Sequence, residues 1–335
     1  MKNKACVFVT GADGMLGSSI CRELINQDYS VKAFVLPNRK INVLDELEID
    51  IVYGNILDKS LLEAAMVDCD YVINVAALTF VWPRKSEIVM KVNLEGAMNV
   101  MEVSEKLGIK KMIQIGTANS FNHGSKNNPG SENNPFDGWR FKMDYITSKY
   151  LAQQKLIEHY NKTGFPIVII NPTYMIGPYD SGPSSGKMIL EVIQGKIPAY
   201  ASGGKNFVYS RDVAVAAVNA LALGKIGECY IAGNENLSFG DFFKKVVKTR
   251  NKPFKLLKAP TAVIIFIGLI NSIVARLVKK SPKLSYSMAK MAGMNQYYSA
   301  AKAQNELNMP QTPIEVAIDE CLTWYEVNGY LKKEK

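Results

Sequence analysis

A chain of 335 residues with 47% hydrophobic side chains can bury one large core and an added lobe, which excludes a disordered or fibrous protein. Its 40 Lys+Arg against 31 Asp+Glu leave a formal charge of +9, yet no basic run is interleaved with aromatic residues, so no nucleic-acid partner is expected. The 5 widely spaced cysteines without a CxxC pair and the 2 histidines argue against a disulfide framework, a metal site or chemistry built on several histidines; a cytoplasmic setting fits.

The opening MKNKACVFVTGADG is basic and then apolar. Its apolar run, about five residues, is too short for a signal-peptide core and reads as a first strand over 6–9. Directly after it comes Thr10-Gly11-Ala12-Asp13-Gly14-Met15-Leu16-Gly17, placed where a dinucleotide fingerprint belongs, with GxxGxxG spacing. Gly11 allows the tight turn, Gly14 lets the backbone approach a pyrophosphate, and Gly17 lets helix pack on strand. The phosphates then meet the backbone N–H groups around Asp13, Met15 and Leu16 and the positive end of a helix over 16–27.

A second strand over 31–35 leads into Leu36-Pro37-Asn38-Arg39-Lys40. No carboxylate stands there to accept from a free ribose 2′-hydroxyl, whereas Arg39 or Lys40 can neutralise a 2′-phosphate, so NADP(H) is favoured over NAD(H). Strands over 51–53, 71–75, 111–115 and 166–170 then alternate with helices over 59–66, 89–107 and 144–161, the last two running into Gly108 and Gly164 as stops. This pattern predicts an α/β fold, a doubly wound parallel sheet of the Rossmann kind.

Loop punctuation thickens after Asn171-Pro172, where a second lobe is expected. A helix over 211–223 and a strand over 228–232 return to the sheet. The expected division is a dinucleotide-binding domain over 1–171 with 207–233 returning to it, and a smaller, sequence-interleaved substrate lobe over 172–206 and 234–335. Within that lobe the apolar run 259–278 falls short of the roughly 20 uncharged residues that cross a bilayer. It is expected to be a buried or substrate-lining helix in preference to a membrane contact.

Tyr145 and Lys149 lie four residues apart on one helix face, where an ammonium can stabilise a phenolate and make the tyrosine an acid or base near neutral pH. The same spacing occurs at Tyr286/Lys290 and Tyr298/Lys302, so position decides. Only Tyr145/Lys149 follows the strand that delivers Gly116-Thr117-Ala118-Asn119 to the ligand crevice of an open α/β sheet. Thr117 there can hydrogen-bond the oxygen that changes charge as hydride moves, or simply cap the strand end.

The ordered set Thr10–Gly17, Asn74-Val75-Ala76-Ala77, Thr117, Tyr145/Lys149 and Asn171-Pro172-Thr173-Tyr174-Met175-Ile176-Gly177-Pro178 resembles the extended short-chain dehydrogenases, the NAD-dependent epimerase/dehydratase family, over nearly the whole chain. The resemblance implies a catalytic Thr117, Tyr145 and Lys149, with Lys149 also holding the nicotinamide ribose. It further implies that Ala76 and Ala77 run beside the cofactor, that Asn93 supports the site, and that Pro172, Thr173 and Tyr174 meet the nicotinamide amide. Asn55 and Ile56 occupy the adenine position, with Asn55 where relatives usually carry Asp. Relatives with the corresponding helices over 89–107 and 144–161 form four-helix dimer interfaces, which implies a homodimer.

Family members commonly have Ser-Ser where this chain has Gly116-Thr117, and the hydroxyl is kept. The 4,6-dehydratases follow it with Asp-Glu, here Ala118-Asn119, which disfavours dehydration. Epimerases usually carry an Arg where this chain has Gly204-Lys205-Asn206. The chain looks most like the dihydroflavonol-reductase and 3β-hydroxysteroid-dehydrogenase branch. The expected function is therefore interconversion of a ketone or aldehyde with an alcohol on a hydrophobic small molecule. The alternatives are a nucleotide-sugar 4-epimerase with tightly held NAD, or a non-catalytic nicotinamide-binding sensor.

Overall fold

A computed structural model describes residues 4–39 and 41–331; Lys40, one of the two candidates for a 2′-phosphate contact, lies outside the described residues. The chain opens with β1 (Cys6–Thr10), α1 (Met15–Asn26), β2 (Ser30–Val35), β3 (Asp50–Tyr53), α2 (Lys59–Met66) and β4 (Tyr71–Asn74). One long helical stretch follows, made of α3 (Glu87–Met90), a π-helical turn (Lys91–Glu95) and α4 (Gly96–Lys106). Then come β5 (Lys111–Ile115), α5 (Asp144–Thr163), β6 (Ile167–Pro172), β7 (Tyr174–Ile176), α6 (Gly186–Ile193), β8 (Ala199–Tyr200) and β9 (Gly204–Tyr209). The last part runs through α7 (Ser210–Leu223), β10 (Cys229–Ala232), β11 (Glu235–Ser238), α8 (Phe239–Lys248) and β12 (Leu257–Lys258). It closes with α9 (Thr261–Leu277), α10 (Tyr286–Ala292), β13 (Asn295–Gln296), α11 (Ala301–Leu307) and α12 (Ile314–Val327).

Seven strands pair in parallel in the order β3-β2-β1-β4-β5-β6-β10, the doubly wound arrangement with its reversal between β1 and β4. Alternation within each strand explains the layers. Val7 and Val9 join Ile113, Val168 and Ile170 under α1 and α7, while Phe8 points the other way with Val72, Met112 and Ile169 under α2, α4 and α5. All six residues of β6, Ile-Val-Ile-Ile-Asn-Pro, are buried because both faces are covered. Gly108 (φ +68°) and Gly164 (φ +77°) end α4 and α5 in the left-handed conformation that a side chain resists.

A second sheet orders β11-β9-β13, with β7 also pairing β9, and β8 pairs β12 apart from it. Its apolar layer gathers Ile189 of α6, Phe242 of α8 and Tyr325 of α12 around Phe207. The return to the large sheet therefore begins at α7 and not at residue 207, because β9 is committed to the second sheet. The late helix α11 also rejoins the large core through Ala303 and Leu307.

The run 259–278 corrects the expectation of a buried helix. α9 packs on α10 only through a narrow line of Ile264, Gly268, Ser272 and Ala275. Gly268 is needed there because a Cβ would stand 2.6 Å from that of Ala289. Val263, Phe266, Ile267, Leu269, Ile270, Ile273, Val274 and Leu277 are exposed, Phe266 at 61% and Leu277 at 78%. The hydrophobic run encodes an apolar outer face where periodicity suggested core. Among the described residues no helix is long and apolar enough to cross a membrane.

Candidate active site

The crevice forms where β1, β4, β5 and β6 end. Gly11 takes φ +63°, and a Cβ on it would sit 2.8 Å from the Ala76 backbone. A Cβ on Gly17 would stand 2.1 Å from the Gly11 carbonyl oxygen, so two backbone segments touch only because both residues are glycine. Gly14 precedes α1 with no side chain capping the helix. Leu16 is packed in the core and Met15 is buried, which leaves their backbone N–H groups as what they can offer a phosphate. An uncapped helix N-terminus beneath a glycine turn fits a dinucleotide pyrophosphate.

Around this cradle the other cofactor candidates fall into place unevenly. Arg39, at the end of β2, reaches back across the glycine loop, its Nε 3.1 Å from Asp13 Oδ2. Nothing in the local sequence announces that the candidate phosphate-binding cation has an internal partner. Asn55 is exposed and its Oδ1 accepts from Leu57 N at 3.0 Å, which leaves its NH2 group outward. Ile56 instead sits buried against Gly96, so it offers backbone only. Ala76 N donates to Thr10 Oγ1 at 3.1 Å, and Ala77 follows in the open stretch between β4 and α3.

Asn93 lies in the π-helical turn and is fully engaged. Its amide donates to Leu78 O at 2.9 Å and Ser148 Oγ at 3.1 Å, while Oδ1 accepts from Leu78 N at 2.8 Å. It therefore ties the segment after β4 to α5 and acts on the site through them. Pro172 ends β6; Thr173 bonds Asn206 Oδ1 at 2.8 Å, and the Tyr174 hydroxyl donates to Ser185 O at 3.1 Å.

Thr117, Tyr145 and Lys149 come together at the ends of β5 and α5. The Thr117 hydroxyl lies beside the Tyr145 phenol and accepts from Asn119 N at 3.3 Å, so it is both site residue and turn cap. Lys149 is buried, with Nζ donating to Ile115 O at 2.5 Å. Burial pushes the Tyr145 phenol up, with Thr117 pulling weakly the other way, and pushes the Lys149 ammonium down to about 8. The lysine was expected to draw the phenol down; in the protein alone burial sets the direction, and Thr117, not Lys149, supplies the opposing pull. Of the other two Tyr/Lys pairs, Lys290 lies over the Tyr286 ring on the surface and Lys302 pairs with Glu228.

Two features escaped the sequence reading. Asn171 of β6 accepts from Thr117 N at 2.9 Å, and a Cβ on Gly116 would meet that Asn171 oxygen at 2.2 Å. The glycine before Thr117 is thus explained by the side chain beside it. The second is a recess directly past Thr117, lined by Ala118, Asn119, Tyr174, Lys205, Gln296 and Tyr298. Gln296 and Tyr298 come from far along the chain and carried no local signal of a site; Lys205 stood out only within Gly204-Lys205-Asn206, where epimerases usually carry an Arg.

A seven-stranded doubly wound sheet with an open glycine cradle and a hydroxyl, phenol and ammonium at its crevice defines a dinucleotide-binding enzyme fold. The chain belongs to the NAD dependent epimerase/dehydratase family, whose sequence profile matches residues 7–233. It is an enzyme of the extended short-chain dehydrogenase/reductase type, in the branch of reductases and sterol dehydrogenases. A Synechocystis sp. protein with the provisional name dihydroflavonol 4-reductase is 29% identical over 98% of this chain and 97% of its own. Sterol demethylase protein B of Methylococcus capsulatus is 24% identical over 97% of this chain and 99% of its own. The crystal structure of gox2253 superimposes with a TM-score of 0.86 and 29% identity, covering 98% of this chain and 100% of that one.

Proposed function

We propose that this enzyme interconverts a ketone or aldehyde with an alcohol on a largely apolar small molecule, using NADP(H) in preference to NAD(H). The observation that carries the reading is the Thr117 hydroxyl beside the Tyr145 phenol at the end of β5, with the Lys149 ammonium buried on the same helix and donating to Ile115 O. The nicotinamide supplies or accepts the hydride. In the reductive direction Tyr145, holding its proton because burial raises its pKa, gives that proton to the substrate oxygen. Thr117 holds the oxygen, and Lys149 stabilises the phenolate left behind.

Arg39 supports the NADP(H) preference: tethered by one nitrogen to Asp13 and otherwise exposed, it keeps free N–H donors for a 2′-phosphate. Fluorescence titration with NADPH and NADH, then turnover on a panel of carbonyls, tests the proposal. Steady consumption of NADPH excludes an epimerase or a sensor. Tyr145→Phe is expected to bind NADPH as the wild type does and to lose at least about a hundredfold in turnover. Full turnover in that variant defeats the mechanism.

The outer face of α9 supports contact with an anionic membrane surface. Its exposed apolar side chains are flanked by the exposed cations Arg276, Lys279, Lys280, Lys283 and Lys290. Flotation with phosphatidylglycerol vesicles should recover the wild type, and the double variant Phe266→Asp/Ile270→Asp should stay behind. Equal behaviour of the two removes α9 as the contact.

A further inference from the structure

The recess past Thr117 holds a cation with no anion. Lys205, in β9, donates to Gln296 Oε1, and among the described residues no carboxylate lies within ion-pair distance of it. Its remaining neighbour of note is the Tyr174 ring, with Nζ 5.3 Å from the centroid. Burial pushes Lys205 down to about 8. His123, itself depressed by burial and so uncharged at neutral pH, feels both Arg140 and Lys205. Arg140 is spoken for, paired with Asp137 at 3.0 Å and bonded to His123 Nε2 at 2.9 Å.

Gln296 supplies a second, independent mark. Only 3% exposed, it spends its oxygen on Lys205 and leaves Nε2 buried with no partner in the protein. A buried amide nitrogen without an acceptor costs about 1–3 kcal/mol, and beside it stands a half-buried ammonium without an anion. Two such groups in contact, on the wall of a recess, form a donor set complementary to an anion. One ammonium and one amide match a planar monoanion: one carboxylate oxygen on Lys205, the other on Gln296 Nε2. A diphosphate would need further cations, and Arg140, the other one near, is already paired.

We propose that Lys205 and Gln296 hold a carboxylate of the substrate, which makes the substrate an oxo acid or hydroxy acid. Because Ala118 and Asn119, which follow Thr117 directly, line the same recess, the acid group lies close to the carbon that gains or loses hydride. The inference rests on the carbonyl/alcohol reading for the identity of that carbon, and on the recess alone for the anion.

The test is calorimetric titration of the enzyme saturated with NADP+, using 3-hydroxydecanoate, its methyl ester and UDP as probes. The wild type is expected to bind the acid at least tenfold more tightly than the ester. Lys205→Met should abolish that preference with NADP+ affinity unchanged, and Lys205→Arg should retain most of it. Failure of the acid to bind, equal binding of acid and ester, or a preference that survives in Lys205→Met overturns the proposal. UDP binding that exceeds the acid and depends on Lys205 also overturns it, by assigning the lysine to a nucleotide diphosphate. Oxidation of 3-hydroxydecanoate is followed separately: acid preference without turnover leaves the subsite standing and counts against the carbonyl/alcohol chemistry, and the reverse result does the opposite.

Discussion

Tyr145 and Lys149 are both held by burial against their charged forms, and the two consequences differ. The phenol keeps its proton throughout the neutral range, as a proton donor for reduction must. The ammonium, pushed down to about 8, is lost as pH rises through that value, so kcat/KM for reduction, which reports the free enzyme, is expected to fall above about pH 8. A rate constant flat from pH 7 to 9.5 contradicts this. The same shift bears on stability. Since the folded pKa lies below the unfolded one, the unfolded chain binds more protons between about 8 and 10.5, and stability rises with pH across that window. Lys149→Met should therefore be inactive yet more stable at pH 7 by on the order of 1–3 kcal/mol, with the gain shrinking towards pH 10.5. Spacing revealed the pair but not the strength of desolvation, which depends on layers packed from elsewhere in the chain. Gly116 belongs to the same class: Gly116→Ser should cost about 1–3 kcal/mol by driving into Asn171, and thermal melts should show part of that recovered in Gly116→Ser/Asn171→Ala.

At the scale of elements, the strands were legible because a sheet covered on both faces writes itself as short β-branched runs, and the helix stops because Gly108 and Gly164 need positive φ. What the runs concealed is a row of polar side chains through the middle of the sheet. Thr10, Asn74 and Gln114 share one register across β1, β4 and β5. The Thr10 hydroxyl donates to Asn74 at 2.5 Å, Asn74 donates to Gln114 at 2.8 Å, and Gln114 donates to Ile115 O at 2.9 Å, the carbonyl that also receives Lys149. Each residue looked like a minor interruption of its own strand; only the pairing shows them as one chain from glycine loop to lysine. Asn74→Leu should cost roughly 2–4 kcal/mol by denaturant melt, since it strands two buried partners, against under 1 kcal/mol for a surface Asn→Leu control. The π-helical turn is a similar case, since no residue pattern announced it and its effect is to turn Asn93 towards Leu78 and Ser148.

For the whole molecule, the doubly wound sheet was readable from alternation alone, while the order in which its strands lie side by side came only with the structure. The second lobe was readable only as a change of texture, because its core assembles from α6, α8 and α12. α9 was misread for a physical reason: hydrophobic periodicity reports that a surface avoids water and is silent on what covers it. On the membrane contact proposed for it, its narrow, small-residue footing on α10 and broad apolar outer face acquire a kinetic meaning. An enzyme resting on a bilayer by that face meets lipophilic molecules by lateral diffusion in a thin layer, where their concentration far exceeds that in bulk water. Such an enzyme can process sparingly soluble molecules without waiting for them to dissolve.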